Sequence, residues 1–213
     1  MSWAGPNRPQ PYGNPSYGRS PMRRGDASRM NPFAAGLLIV GLLALMWLLE
    51  FYDQATSNSL DRYGIHAREL DGLPEIFSAP FLHGGFAHLQ GNSVPFLVLG
   101  FLTALGGFAR WLKVSLICVI SSGLVAWFLT PPNTIVLGAS GLIMGWLTYV
   151  ITRGFFDRKP GRIALGLVVL FFYGGLIWGV LPSQQGISWQ AHLGGAIGGV
   201  VAARALHGGR AVG

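Results

Sequence analysis

Six apolar stretches, each close to the length that a bilayer core demands, follow one another along this chain of 213 residues. They cover residues 33–50, 86–108, 112–130, 138–152, 162–181 and 190–206. Only 11% of the residues are charged, while 51% are hydrophobic. A soluble domain carries about 25% charged residues, so this chain has too little polar side chain to coat a water-facing surface. The expected fold is an all-α polytopic membrane bundle of six transmembrane helices.

Residues 1–32 precede the first stretch and are rich in Pro, Gly, Ser, Asn and Arg. Such a composition buries too little apolar surface to order itself, so a disordered basic tail is expected. The membrane domain is then expected over 33–207, with a short C-terminal tail at 208–213. A longer polar segment, 51–85, separates the first two stretches. Apart from Arg62 and Arg68 in that segment, the basic residues, 13 of the 15, fall in the tail, in the gaps after the second and fourth stretches, or at the C-terminal end. An even number of spans puts all of these on one side. By the bias of Lys and Arg toward inner loops that side is cytoplasmic, and both termini lie there. The net charge of +7 is spread through short gaps rather than gathered on one folded face, which argues against a nucleic-acid partner.

Polar groups inside a bilayer are costly and usually functional. Three clusters stand at the extracytoplasmic ends of their stretches. They are Gly138-Ala139-Ser140-Gly141, Ala191-His192-Leu193-Gly194-Gly195, and the run from His83 through His88 to Asn92. Ser140 precedes the cytoplasmic Arg153 by 13 residues, roughly 20 Å of helix; His192 precedes Arg204 by 12, roughly 18 Å. The two therefore sit at one depth, on the order of 10 Å below the outer surface of a hydrocarbon core about 30 Å thick. A serine and a histidine at one depth on two helices can form a nucleophile and its base. Gly141 and Gly145 on one helix, and Gly194, Gly195, Gly198 and Gly199 on the other, allow the close approach this needs. His88 and Asn92, four apart on one helical face, can donate hydrogen bonds to an oxyanion, and so can the backbone N–H of Ser140.

Other chemistries fit less well. Leu142 occupies the place where a hydrolase elbow has its last glycine, and no strand pattern surrounds His83-Gly84-Gly85. His83 and His88 lack intramembrane carboxylate partners, so no metal is expected, and no cofactor is implied. The lone Cys118 lies in an apolar run and reads as packing. His66 and His207 lie in polar end regions away from these clusters. No repeat between halves suggests a transporter.

From about residue 74 to 206, with these three motifs in order on successive spans, the chain resembles the bacterial rhomboid proteases. The resemblance implies an intramembrane serine endopeptidase with a Ser140–His192 dyad and no aspartate. It implies an oxyanion hole built from His88, Asn92 and the Ser140 backbone. It implies structural support from His83, which would tie down the preceding segment, and from Gly138, which would keep the loop before Ser140 open. Gly141, Gly195 and Gly199 would support the same site through helix packing. The fifth span would be a lateral gate, and 51–85 a partly embedded first loop. The partners implied are single-span or polytopic membrane substrates and the lipid bilayer. The location implied is the bacterial inner membrane, with the site opening to the extracytoplasmic side. Oligomeric state is not implied. Two positions depart from the family pattern. Pro74-Glu75 stands where many relatives have Trp-Arg. Met144 replaces an aromatic residue four positions after the serine, which leaves the His192 ring a weaker partner. The alternative within the same resemblance is a catalytically inactive protein that binds membrane clients.

Overall fold

The structure, a computed structural model, describes Met1, residues 29–182 and residues 186–207. Most of the expected N-terminal tail, and all of residues 208–213, lie outside the described residues. Six α-helices dominate: α1 (Pro32–Ala55), α2 (Phe86–Ala104), α3 (Phe108–Leu129), α4 (Ser140–Asp157), α5 (Pro160–Tyr173) and α6 (Trp189–His207). A 3-10 segment, Gly174–Val180, prolongs α5. Two-residue strands β1 (Ile65–His66) and β2 (Ile135–Val136) pair antiparallel, with Ile65 opposite Val136.

Local chemistry sets the helix ends. The Asn31 side chain accepts from the N–H of Phe33 at 2.9 Å, and Pro32 takes the first position of α1, where its missing N–H costs nothing. Pro160 opens α5 in the same way. α1 runs to Ala55, past the expected end at residue 50, because Glu50 and Asp53 find partners there. Gln54 donates to Glu50 at 3.0 Å, and the N–H of Leu60 donates to Asp53 at 2.6 Å. The break between α2 and α3 falls at residues 105–107, so Arg110 joins the first turn of α3 rather than a loop.

Three segments are long and apolar enough to cross a membrane by length and composition: Pro32–Ala55, Phe108–Leu129 and Pro160–Val180. Their outer faces expose large apolar side chains such as Leu48, Phe128, Phe171 and Phe172, which lipid solvates and water does not. α2, α4 and α6 carry the polar residues and glycines of the site instead.

α4 is the centre of the bundle. It packs against α6 most extensively and against α5, α3 and α2, burying Trp146 and Tyr149 completely. α6 is wedged between α4 and α3 on two glycine faces. A Cβ on Gly195 would collide with the Gly141 carbonyl, and one on Gly199 with the Gly145 carbonyl. On the other face, a Cβ on Gly194 would lie 2.6 Å from the Ser121 carbonyl, and one on Gly198 would lie 2.9 Å from the Ser121 side chain. Polar side chains stitch the same seams. Ser122 donates to the Ala191 carbonyl at 2.9 Å, Ser121 to Gly194 at 2.7 Å and Thr148 to Ala196 at 2.9 Å. Each such bond contributes about 1 kcal/mol to helix association in lipid.

The segment 56–85 folds into four short 3-10 turns and β1. The Trp127 indole of α3 donates to the Glu69 carbonyl at 2.7 Å, and the N–H of Arg68 donates to the Trp127 carbonyl at 3.1 Å. Ile76 packs so tightly on Gly123 that a Cβ there has no room. At the Pro74-Glu75 departure, Pro74 opens a 3-10 turn and the Glu75 carboxylate accepts from the N–H of His66 at 3.3 Å. The loop is thus anchored to α3 by an indole, a backbone bond and a buried isoleucine.

Candidate active site

A cavity of about 840 Å3 opens among α2, α4, α6 and the loops before them, lined by Ser140, His192, His88, Asn92, Gly138 and Met144 among others. Every residue that the sequence suggests for nucleophile, base and oxyanion hole therefore faces one space.

Ser140 is the first residue of α4 and is half-buried. Its own N–H has no partner within the helix, as in any first turn. The turn before it is set by Gly138, whose φ of +122° is open to glycine and strained for other residues. The N–H of Gly138 donates to the Ala79 carbonyl at 2.9 Å. A Cβ at this position would also lie 2.6 Å from Cε1 of His88, so the histidine ring rests directly on the glycine. α4 begins two residues later than the apolar stretch because residues 138 and 139 are spent on this turn.

His83 sits beneath. It is 2% exposed, its ring meets that of His88 edge-on at 5.1 Å, and its Nε2 accepts from the N–H of Ala139 at 3.4 Å. Burial, and then the neighbouring His88, push its pKa down to about 4. A neutral ring is what an accepting Nε2 requires. His83 thus ties the loop ahead of α2 to the turn ahead of Ser140. On α2, Asn92 lines the cavity one turn beyond His88, and its buried Nδ2 has no hydrogen-bond partner.

His192 lies in the first turn of α6, where Ser188 accepts from the N–H of Ala191 at 3.2 Å and caps the helix. The ring is 8% exposed. Its Nδ1 is 3.0 Å from the Gly179 carbonyl oxygen, and its buried Nε2 has no partner. A carbonyl only accepts, so Nδ1 carries the hydrogen and Nε2 keeps its lone pair. Gly179 is a feature that sequence reasoning missed. A backbone acceptor leaves no mark in residue type, and the glycine itself is needed because a Cβ there would lie 2.6 Å from Nδ1. Met144, buried one turn below Ser140, lines the same cavity, but the bond that orients the ring comes from Gly179.

Gly141, Gly195 and Gly199 stand outside the chemistry, at the α4–α6 seam. The contact of Gly141 with Gly195 falls one residue after Ser140 and three after His192, which brings the two helix starts alongside each other. His66 and His207 lie elsewhere. His66 Nε2 donates to the Arg62 carbonyl at 2.9 Å, and His207 bonds Tyr149 and Asp157. Among the described residues, no three His, Cys, Asp or Glu side chains are grouped as ligands for a metal ion.

The comparisons with known proteins converge on one family. The model of the Rhomboid domain matches residues 71–209. Uncharacterized proteins of Mycobacterium bovis and Mycobacterium tuberculosis are 43% identical over 179 residues, covering 80% of this chain and 75% of theirs. One from Mycobacterium leprae is 42% identical over 186 residues, covering 84% of this chain and 74% of its own. Rhomboid-like protease 5 of Toxoplasma gondii is 31% identical over 150 residues, 68% of this chain but 17% of that protein. The domain match takes in His83, His88, Asn92, Ser140 and His192 together, and with it the apolar helices find their explanation: this chain belongs to the rhomboid family of integral membrane proteins.

Proposed function

We propose that the protein is an intramembrane serine endopeptidase that cleaves transmembrane segments of other membrane proteins, with Ser140 as nucleophile and His192 as base. The observation that carries this reading is the state of the His192 ring. Nδ1 is engaged by a carbonyl, while Nε2 is unpartnered in the cavity that Ser140 also lines. The name of the Toxoplasma gondii relative points the same way.

In this mechanism Nε2 of His192 takes the Ser140 Oγ proton as Oγ attacks the peptide carbonyl carbon. The oxyanion is held by His88, Asn92 and the N–H of Ser140, a stabilisation worth several kcal/mol in the transition state. As the tetrahedral intermediate collapses, the C–N bond breaks and the leaving amine takes the proton from Nε2. Water then attacks the acyl-enzyme, passing a proton to Nε2 that returns to Ser140 Oγ as the acid departs. No carboxylate is needed to orient the base when a fixed carbonyl does so.

The topology that goes with this reading has six spans and both termini cytoplasmic. The protein would reside in a bacterial inner membrane, with the cavity open to the extracytoplasmic side and α5 with Gly174–Val180 as the gate to lipid. Substrates would be single-span or polytopic membrane proteins. The test is cleavage of several single-span substrates in proteoliposomes by the wild type and by Ser140→Ala. Cleavage by the wild type alone supports the reading. Cleavage by both removes Ser140 from the mechanism, and binding without cleavage by either favours an inactive client-binding protein.

A further inference from the structure

The opposite end of α4 holds a second polar cluster that the cavity does not use. Tyr149, Arg153 and Asp157 are spaced by four and so share one face of α4, one above the other. His207, the last residue of α6, spans this ladder. Its Nε2 is 2.8 Å from the Tyr149 hydroxyl and its Nδ1 2.8 Å from Asp157 Oδ1. Arg162 of α5 bonds the other Asp157 oxygen and reaches His207 Nδ1 at 3.4 Å.

Arg153 is the exception in the ladder. It is 8% exposed and lies over the Tyr149 ring at 5.5 Å. Its Nε is buried without a hydrogen-bond partner, and among the described residues no carboxylate lies within ion-pair distance of it. Asp157, the single acid at this end among the described residues, is already taken by Arg162 and His207. Arg110 and Lys159 stand within Coulombic reach of the same cluster, and Arg29 within reach of Arg162. A buried guanidinium without a counter-charge is costly, and here, among the described residues, every neighbouring charge that is not already neutralised is positive.

We propose that Arg153, with Arg110 and Lys159, forms a binding site for a phosphate oxyanion, supplied by the headgroup of an anionic phospholipid or by soluble phosphate. A guanidinium offers paired N–H donors that match phosphate oxygens, and bound phosphate would supply the missing negative charge where α4, α5 and α6 meet. The site is independent of the protease reading, since it lies at the far end of α4 and uses none of the cavity residues.

The test is native mass spectrometry of the full chain released from detergent, titrated with phosphatidylglycerol, with phosphatidylcholine of the same acyl chains, and with inorganic phosphate. Phosphatidylglycerol is expected to bind at least about tenfold more tightly than phosphatidylcholine. Arg153→Gln should remove that preference, while Arg204→Gln, on the exposed side of α6, should leave it intact. Displacement of the lipid by millimolar inorganic phosphate assigns the site to soluble phosphate; failure to displace assigns it to the headgroup. Equal binding of the two lipids with no phosphate adduct, or an unchanged preference in Arg153→Gln, overturns the proposal. If Arg153→Gln does not fold, Arg110→Gln gives the same readout. It removes a half-buried cation that, among the described residues, bonds only the Gly106 carbonyl at 3.3 Å, and an unchanged preference there overturns the proposal as well.

Discussion

Nδ1 of His192 on α6 lies 3.0 Å from the carbonyl oxygen of Gly179, in the 3-10 segment that prolongs α5. The ring that serves as base in the proposed mechanism is therefore oriented by the element proposed as the gate. Movement of Gly174–Val180 away from α6 would free the ring, so the position of this segment and the readiness of the base are coupled.

Gly179→Ala places a methyl carbon 2.6 Å from Nδ1, too close for the ring to keep its place, and should turn it. A displacement of about 1 Å at a reacting group costs on the order of a hundredfold in rate. The expected outcome is a kcat lowered by that order with KM little changed, measured on a single-span substrate in proteoliposomes.

Asn92 carries an unpartnered buried Nδ2 in the cavity. Asn92→Ala should lower kcat on the order of 100-fold or more, as loss of one oxyanion donor does elsewhere, while thermal stability stays close to wild type. A proportional loss of both would make Asn92 a packing residue.

The α4–α6 seam predicts a contrast between glycines. Gly195→Ala forces a methyl group against the Gly141 carbonyl and should destabilise by about 1–3 kcal/mol, read as a lowered unfolding midpoint in detergent. Gly36→Ala, with nothing within 4 Å of the added carbon, should leave the midpoint unchanged or slightly raised.

His83 predicts a pH effect whose sign follows from its neutral ring. Its folded pKa of about 4 lies below the ordinary 6.5, so the unfolded chain binds the proton more readily. Stability from this residue is complete above pH 6.5 and is lost as pH falls toward 4, by about 3 kcal/mol at most. Thermal unfolding between pH 7 and pH 4 should therefore be flatter for His83→Gln than for the wild type.

Membership in the rhomboid family was legible in three short motifs, because Gly138 to Gly141, His83 to Asn92 and Ala191 to Gly199 put costly polar groups and small residues at fixed helix positions. The shared cavity of Ser140 and His192 was legible too, since helix rise alone gives depth. What orients His192 was not, because the Gly179 acceptor is backbone. Nor were the 3-10 turns of 56–85, where the anchors are the Trp127–Glu69 bond and the Ile76–Gly123 contact between residues far apart in sequence. Helix ends shifted where capping and turns outvoted hydropathy, as at Ala55 and Ser140.

The central claim is that His192 makes Ser140 nucleophilic, and covalent labelling reads it directly. The protein in lipid is treated with a serine-reactive fluorophosphonate, and the adduct is located by peptide mass mapping. The account predicts a single adduct on Ser140, absent in Ser140→Ala and strongly reduced in His192→Ala. An unlabelled Ser140 in the wild type, or equal labelling without His192, would contradict it.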